Sequence, residues 1–225
     1  MTGGAAPELL VDGPESAEVT CVLAHGAGAA MDSPFMAFFA HGLAARSIRV
    51  VRFEFPYMAE RRRGGGRRPP DRSQVLLDAW RAVLAEMDPA RTVIGGKSLG
   101  GRMASMIADE AQVRGLLCLG YPFHPPGAPG TTRMRHLRDL RTPALILQGT
   151  RDPFGGRGEV EAYGLSAAIR IHWLEDGDHG FKPRRSSGRT EAQALSEALE
   201  AAATFILAGA LAEPAAAAVV VGEHR

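Results

Sequence analysis

Aromatic side chains are scarce in this sequence: nine Phe, three Tyr and two Trp make up 6% of 225 residues. The interior must therefore be filled mainly by Val, Leu, Ile and Ala, which suits strands and helices packed in layers. Cysteine is scarcer still. Cys21 and Cys118 each sit inside an apolar run, the setting of buried thiols in a reducing compartment rather than of a disulfide scaffold. No group of His and Cys has metal-ligand spacing, so neither a metal nor another cofactor is expected. An excess of one charge is also missing, with 26 Lys+Arg against 25 Asp+Glu. That balance argues against a partner such as nucleic acid or a membrane surface. No apolar run approaches the ~20 residues of a membrane span. Met1–Leu10 lacks a basic segment followed by an apolar one, so no signal peptide is expected and the reading is a cytoplasmic protein.

What is present is a regular alternation of apolar runs and amphipathic stretches, the pattern of βαβ units in an α/β fold. About seven strands are expected in a mostly parallel sheet, with helices on both faces. They are placed at Glu8–Val11, Val19–Ala24, Ile48–Phe55, Val93–Ile94 running into Ser98, Gly115–Gly120, Pro143–Gln148 and Ile169–Leu174. Ser33-Pro34 opens a helix with Ser as cap and Pro at its first position, and Phe35, Phe38, Phe39 and Leu43 form its buried stripe. Asp71 with Gln74 reads as a capping box for a helix to Met87. The helix after Ser98 is expected over Met103–Ala111, and Arg61–Pro70 as an exposed loop. Thr190–Leu207 closes the domain as a helix. One domain is expected over residues 1–208, with 209–225 as a loosely ordered Ala/Val-rich tail.

The chemistry is concentrated in Gly96-Lys97-Ser98-Leu99-Gly100. A Ser between two glycines where a strand meets a helix is the pattern of a nucleophile elbow, and the helix N-terminus behind it favours a developing anion. The turn is so tight that side chains at Gly96 and Gly100 are expected to strike neighbouring backbone. The alternative is an inert serine in a Gly-rich turn. A phosphate-binding loop is excluded, because the glycine it needs five residues before Gly96 is Arg91.

A serine nucleophile needs a base and an orienting acid, in the chain order Ser, acid, His. Among the later histidines, His179 lies in a Gly-rich loop after the last strand and before the closing helix, where this fold carries its imidazole. His172 falls within a strand, His136 in a polar Arg-rich stretch expected to be solvated, and His224 in the tail. Asp152, at the end of the strand before, is the candidate acid; Asp178 is the rival, but as the neighbour of His179 it is better suited to shaping the loop. The backbone N–H groups of Ala27 and Leu99 are the candidate oxyanion donors. His25 and Gly26 beside them are expected to contact substrate.

The segments Leu23–Gly28, Gly95–Arg102, Gly120–Gly127, Gln148–Asp152 and Gly177–Phe181 together resemble a family of small bacterial α/β-hydrolases, described as predicted or dienelactone-hydrolase-like hydrolases. The resemblance runs from about residue 18 to 208 and puts the triad on Ser98, Asp152 and His179. Dienelactone hydrolase proper carries a Cys nucleophile where this chain has Ser. Eukaryotic relatives serve as subunits of protein complexes, which keeps a non-enzymatic binding or scaffold module as the alternative to an enzyme. The stretch between Gly120 and Pro143 is too short for a folded lid, so an open site for a small ester or thioester is expected, with Tyr121, Phe123 and His124 at its rim. Arg61, Arg62, Arg63, Arg67 and Arg68 form either a solvated loop or a lure for an anionic substrate or partner.

Overall fold

The computed structural model describes residues 7–211, with side chains to residue 208; His224 and most of the expected tail lie outside the described residues. Seven strands form one sheet: β1 (Leu9–Asp12), β2 (Thr20–Ala24), β3 (Arg49–Phe53), β4 (Thr92–Lys97), β5 (Gly115–Leu119), β6 (Ala144–Gly149) and β7 (Ile169–Leu174). Their order across the sheet is β1-β3-β2-β4-β5-β6-β7. Only β1 runs antiparallel, against β3. The helices are α1 (Pro34–Ala44), α2 (Pro56–Arg62), α3 (Ser73–Leu84), α4 (Leu99–Ile107), α5 (Arg157–Val160) and α6 (Glu191–Leu211).

Strand residues are sorted between two cores by the two-residue period of the pleat. Val22 and Ala24 of β2, with Leu116 and Cys118 of β5, pack on the face shared with Trp80, Met103 and Ile107 of α3 and α4. Cys21, Leu23, Leu117 and Leu119 point the other way, onto Phe39 and Leu43 of α1 and Ala198, Ala202 and Ile206 of α6. With both faces covered, the strands read as continuous apolar runs. The two thiols are unpaired and buried on opposite faces of the sheet. Burial pushes the Cys21 thiol up to about 12. Neither cysteine has the character of a reactive group.

Several local expectations change. β3 ends at Phe53 rather than Phe55, and Pro56 opens α2 as its first residue, since a proline ring already has helical φ and its missing N–H is no loss there. Arg61 and Arg62 therefore end a helix rather than begin a loop. Ser33 occupies the cap position of α1 without a side-chain capping bond, and of the expected stripe Phe39 and Leu43 are fully buried while Phe35 and Phe38 are only partly so. Asp71 does not cap α3; its Oδ2 accepts the Tyr57 N–H at 2.9 Å, and α3 starts after Arg72. The reciprocal bonds of a capping box occur instead at α6, between Thr190 and Gln193. The helix after Ser98 begins immediately, at Leu99.

The parallel strands end together on one edge, and the order reverses direction between β2 and β4. Ligands of open α/β sheets bind in the crevice at such a switch point, beyond the carboxyl ends of the strands. The loops after β2 and β4 meet there. Between β5 and β6 the described residues carry no lid, only a short 3-10 turn at Arg135–Arg138. Among the described residues no helix is long and apolar enough to cross a membrane.

Candidate active site

β4 delivers Ser98 directly into the N-terminus of α4. Ser98 adopts φ +50° and ψ −109°, a conformation that costs a non-glycine residue about 1–3 kcal/mol. The strain is imposed by crowding. A Cβ on Gly96 or on Gly100 would run into the Ala24 carbonyl oxygen of neighbouring β2. Only glycines on both sides let β4 turn this sharply against β2. The Ser98 N–H in turn donates to Leu119 O of β5 at 3.2 Å.

Leu99 is the first residue of α4, so its N–H belongs to the helix end where backbone donors are left over. The loop after β2 approaches from the other side. A methyl group on Gly26 would lie 3.8 Å from Ser98 Cβ, and Ala27 is exposed beside it. This loop is braced from beneath by residues of the β3–α2 segment. Tyr57 donates its hydroxyl to Gly26 O and Ala27 O at 3.3 and 3.2 Å. His25 donates from Nδ1 to Gly26 O at 2.7 Å and accepts the Phe55 N–H at Nε2, 3.1 Å away.

His25 therefore does not contact substrate with its side chain. The ring is fully buried, both nitrogens are engaged with backbone, and Phe55 and Tyr57 meet it edge-on. Burial lowers its proton affinity below the usual histidine range, and the Phe55 N–H facing Nε2 leaves no acceptor for a second proton.

At the far side of the crevice, His179 Nδ1 lies 2.7 Å from Asp152 Oδ2. The carboxylate is fully buried whereas the imidazole keeps 22% of its side-chain surface exposed. Phe154 N–H donates to Asp152 Oδ1 at 2.8 Å and Gln148 Nε2 to Oδ2 at 3.0 Å. Gln148 also donates to Gly155 O and accepts the Tyr121 N–H, so one buried amide ties the β5 and β6 loops to the carboxylate. Phe154 lies against the imidazole, with ring centroids 4.3 Å apart. Asp178 accepts the N–H groups of Gly180 and Lys182, the loop-shaping role expected of it.

Lys97 joins this loop to the elbow. Its ammonium donates to the His179 carbonyl and lies over the Phe35 and Phe181 rings, 5.2 and 5.6 Å from their centroids. Burial pulls its pKa down to about 8, against the attraction of Asp152 and Asp178. Gly120, at φ +71°, gives room for this contact: a Cβ there would fall 2.8 Å from Lys97 Nζ.

Tyr121, Phe123 and His124 do not form an exposed rim. Tyr121 and Phe123 have no exposed surface, and His124 is 3% exposed. Their backbone passes the site, but the Tyr121 and Phe123 rings turn into the core cluster under α4. His124 spans Pro125 O at 2.8 Å and the Glu159 carboxylate at 2.9 Å. His136 is not solvated either; its Nε2 meets Ser105 Oγ at 2.8 Å. His172 pairs with Glu197 across 3.0 Å, away from the site edge.

Gln148, Tyr57 and Lys97 are the supporting residues that motif reading passes over. Gln148 carried one signal, as the polar end of an apolar strand. Tyr57 carried none, because its partners are remote in sequence.

Comparison with known proteins agrees with this architecture. Residues 17–207 match the family described as alpha/beta hydrolase domain. Among solved structures, a dienelactone hydrolase from Anabaena variabilis aligns with TM-score 0.68 at 19% identity, covering 92% of this chain and 94% of that one. An α/β serine hydrolase without a lid from Xanthomonas campestris gives 0.66 at 20% identity, covering 92% and 91%. An α/β serine hydrolase homologue from Coxiella burnetii gives 0.66 at 20% identity, covering 87% and 91%. At these identities the likeness is one of fold. The match over nearly the whole sheet, on a chain whose strand ends carry Ser98, Asp152 and His179, makes this protein a member of the alpha/beta hydrolase domain family.

Proposed function

We propose that this protein is a serine hydrolase that cleaves small carboxylic esters or thioesters through Ser98, His179 and Asp152. The observation that carries the reading is the 2.7 Å bond from the His179 imidazole to a buried Asp152 carboxylate, on the same sheet edge as a serine held at φ +50°. With Nδ1–H committed to Asp152, Nε2 of His179 is left as a base. It takes the Ser98 hydroxyl proton as Oγ attacks the ester carbonyl, then returns it to the leaving alcohol or thiol as that bond breaks. Water repeats the sequence on the acyl-serine, releasing the acid and restoring the hydroxyl. Asp152 stays ionised, fixes the tautomer and stabilises the imidazolium between the two transfers.

The N–H groups of Ala27 and Leu99 are the donors for the oxyanion, and each such donor is worth about 10²–10³ in turnover. Lys97, Gln148 and Tyr57 act as positioning residues. They fix the His179 loop, the Asp152 carboxylate and the Ala27 loop without touching the reacting atoms.

Ser98→Ala is expected to abolish hydrolysis of p-nitrophenyl acetate and labelling by a fluorophosphonate probe, with circular dichroism unchanged. Undiminished turnover in that variant removes Ser98 from the mechanism. A folded wild type that neither turns over nor takes the probe points to the scaffold role instead.

A further inference from the structure

Beside the Ala27 loop lies an open cavity of about 410 Å³, bounded by Gly28, Ala29 and Ala30 on one side and by Met58, Arg61 and Arg62 on the other. That volume is within the range of small-ligand sites. Its walls come from the loop after β2 and from α2 after β3, so it stands over the carboxyl ends of those two strands. These are the same two segments that the Tyr57 hydroxyl joins through Gly26 O and Ala27 O. The wall begins one residue past Ala27, and consecutive Cα atoms are only about 3.8 Å apart. A chain leaving the oxyanion position therefore needs few bonds to enter.

Other cavities lie apart from the elbow. One of about 200 Å³ separates the ends of α3 and α4 at Leu84 and Ile107. Another, of about 340 Å³, is lined by Arg114 and Pro143, just before β5 and β6, at the amino ends of the strands. A third, of about 430 Å³, is a recess in the single stretch Lys182–Glu191. None of the three shares a wall with the Ala27 loop.

The cavity by the Ala27 loop has a neutral, firmly held wall. Met58 is buried, and Ala30 packs on the core cluster beneath. Arg62 donates Nε and Nη2 to the buried Glu54 carboxylate at 3.0 and 2.7 Å, and Nη1 to Asp32 at 2.9 Å. These pairs cancel charge and tie α2 to the loop before α1. Arg61 is exposed, which lets its head group stay in water.

The reaction gives the cavity a direction. Ser98 Oγ and the leaving atom must both reach His179 Nε2, and the oxyanion points to the Ala27 and Leu99 N–H groups. The remaining substituent of the tetrahedral carbon, the acyl chain, is then directed away from His179. Asp152 and His179 follow β6 and β7 on one side of β4, whereas the cavity stands over β2 and β3 on the other.

We propose that this cavity is the acyl subsite, and that the substrate class is esters or thioesters of unbranched aliphatic acids longer than acetic acid. This inference rests on Ser98 being the nucleophile, but the subsite itself is open to a separate test.

The test compares 4-nitrophenyl hexanoate with the acetate. Each methylene taken out of water is worth about fourfold, so wild type should prefer the hexanoate by roughly tenfold or more in kcat/KM. A Cβ on Gly28 meets nothing within 4 Å, and its φ lies outside the left-handed region, so a side chain there fits the fold. Gly28→Leu and Ala29→Leu should each cut the hexanoate-to-acetate ratio by about fivefold or more. Gly130→Leu, equally free of contacts but in the β5–β6 segment, should leave that ratio as it is. The ratio of hexyl to ethyl acetate reports the leaving-group side and should not respond to Gly28→Leu. A wild type indifferent to acyl length, a ratio unmoved by both cavity variants, or a response of the alcohol series in place of the acyl series overturns the proposal. If neither 4-nitrophenyl ester is turned over and Ser98 resists the probe, the hydrolase reading has failed by itself. Titration with hexanoate should then still shift the Gly28 and Ala29 amide signals in a nitrogen–proton correlation spectrum of the wild type, and no shift overturns the subsite.

Discussion

His25 and His179 stand on the same edge of one sheet, at the ends of β2 and β7, each in a Gly-containing loop, and their surroundings are opposite. His25 spends both ring nitrogens on backbone groups, in full burial and between aromatic rings. His179 spends only Nδ1, on a carboxylate, and keeps the other nitrogen and 22% of its side chain open to the crevice. What separates a structural imidazole from a base is therefore the partner of each nitrogen and access to the remaining one. The local sequences, His25-Gly26 and His179-Gly180, are the same dipeptide.

The largest expected effect follows from His179. Replacing it with Gln, or Asp152 with Asn, should lower kcat by about 10⁴ or more while the melting temperature barely moves. A loss of less than tenfold in either variant would break the contrast, because it would leave His179 no more catalytic than His25.

For His25 the expectation is inverted, with stability as the main readout. His25→Ala removes a buried ring and leaves the Phe55 N–H without its acceptor, at a cost of about 2–4 kcal/mol. Urea titration measures it, and an unchanged midpoint would remove the structural role. A pH dependence comes with it. The unfolded chain takes up a proton on His25 near the ordinary value of 6.5, whereas burial delays that uptake in the folded chain to lower pH. The unfolded state thus holds more protons as pH drops from 6.5, and stability falls there. His136, also lowered by burial and by Arg102, adds a term of the same sign. Melting temperatures from pH 7.5 to 5 should decline in wild type and decline less in His25→Asn; a flat wild-type profile contradicts the assignment.

The smallest effect concerns the brace between the two regions. Tyr57→Phe removes the hydroxyl bonds to Gly26 O and Ala27 O, worth about 1 kcal/mol of stability. If that hydroxyl fixes the oxyanion loop, kcat should fall several-fold with KM unchanged. An equal change in both parameters would assign Tyr57 to substrate binding instead.

Arginines make the same point about reading charge from a sequence. The dense Arg61–Arg68 stretch invites an anion-binding reading, yet Arg62 is tied to Glu54 and Asp32, and Arg68 to Glu60 and Asp71. Arg102 stands alone in its stretch of sequence and pairs with no carboxylate among the described residues. Linear charge density does not reveal which cations are compensated, because the compensating groups come from other elements.

The sequence by itself determined where the proposed chemistry falls along the chain: a serine between glycines after β4, Asp152 after β6 and His179 after β7. It could do so because the constraints are local. Gly96 and Gly100 are required by a turn a few residues long, and continuous apolar runs are required of any parallel strand covered on both faces. The same locality explains the failures. Asp71 and Gln74 have the spacing of a capping box, but a long-range bond to the Tyr57 N–H takes the Asp71 side chain instead. Tyr121 and Phe123 sit in a loop beside the site, and only core packing under α4 decided that their rings turn inward. Tertiary structure alone chose the Gln148 bracket, the Lys97 contact with the His179 carbonyl and the uncompensated Arg102, since each depends on groups brought from distant elements. A side chain's chemistry is written in the sequence; its partners and its solvent access are set only when the sheet assembles.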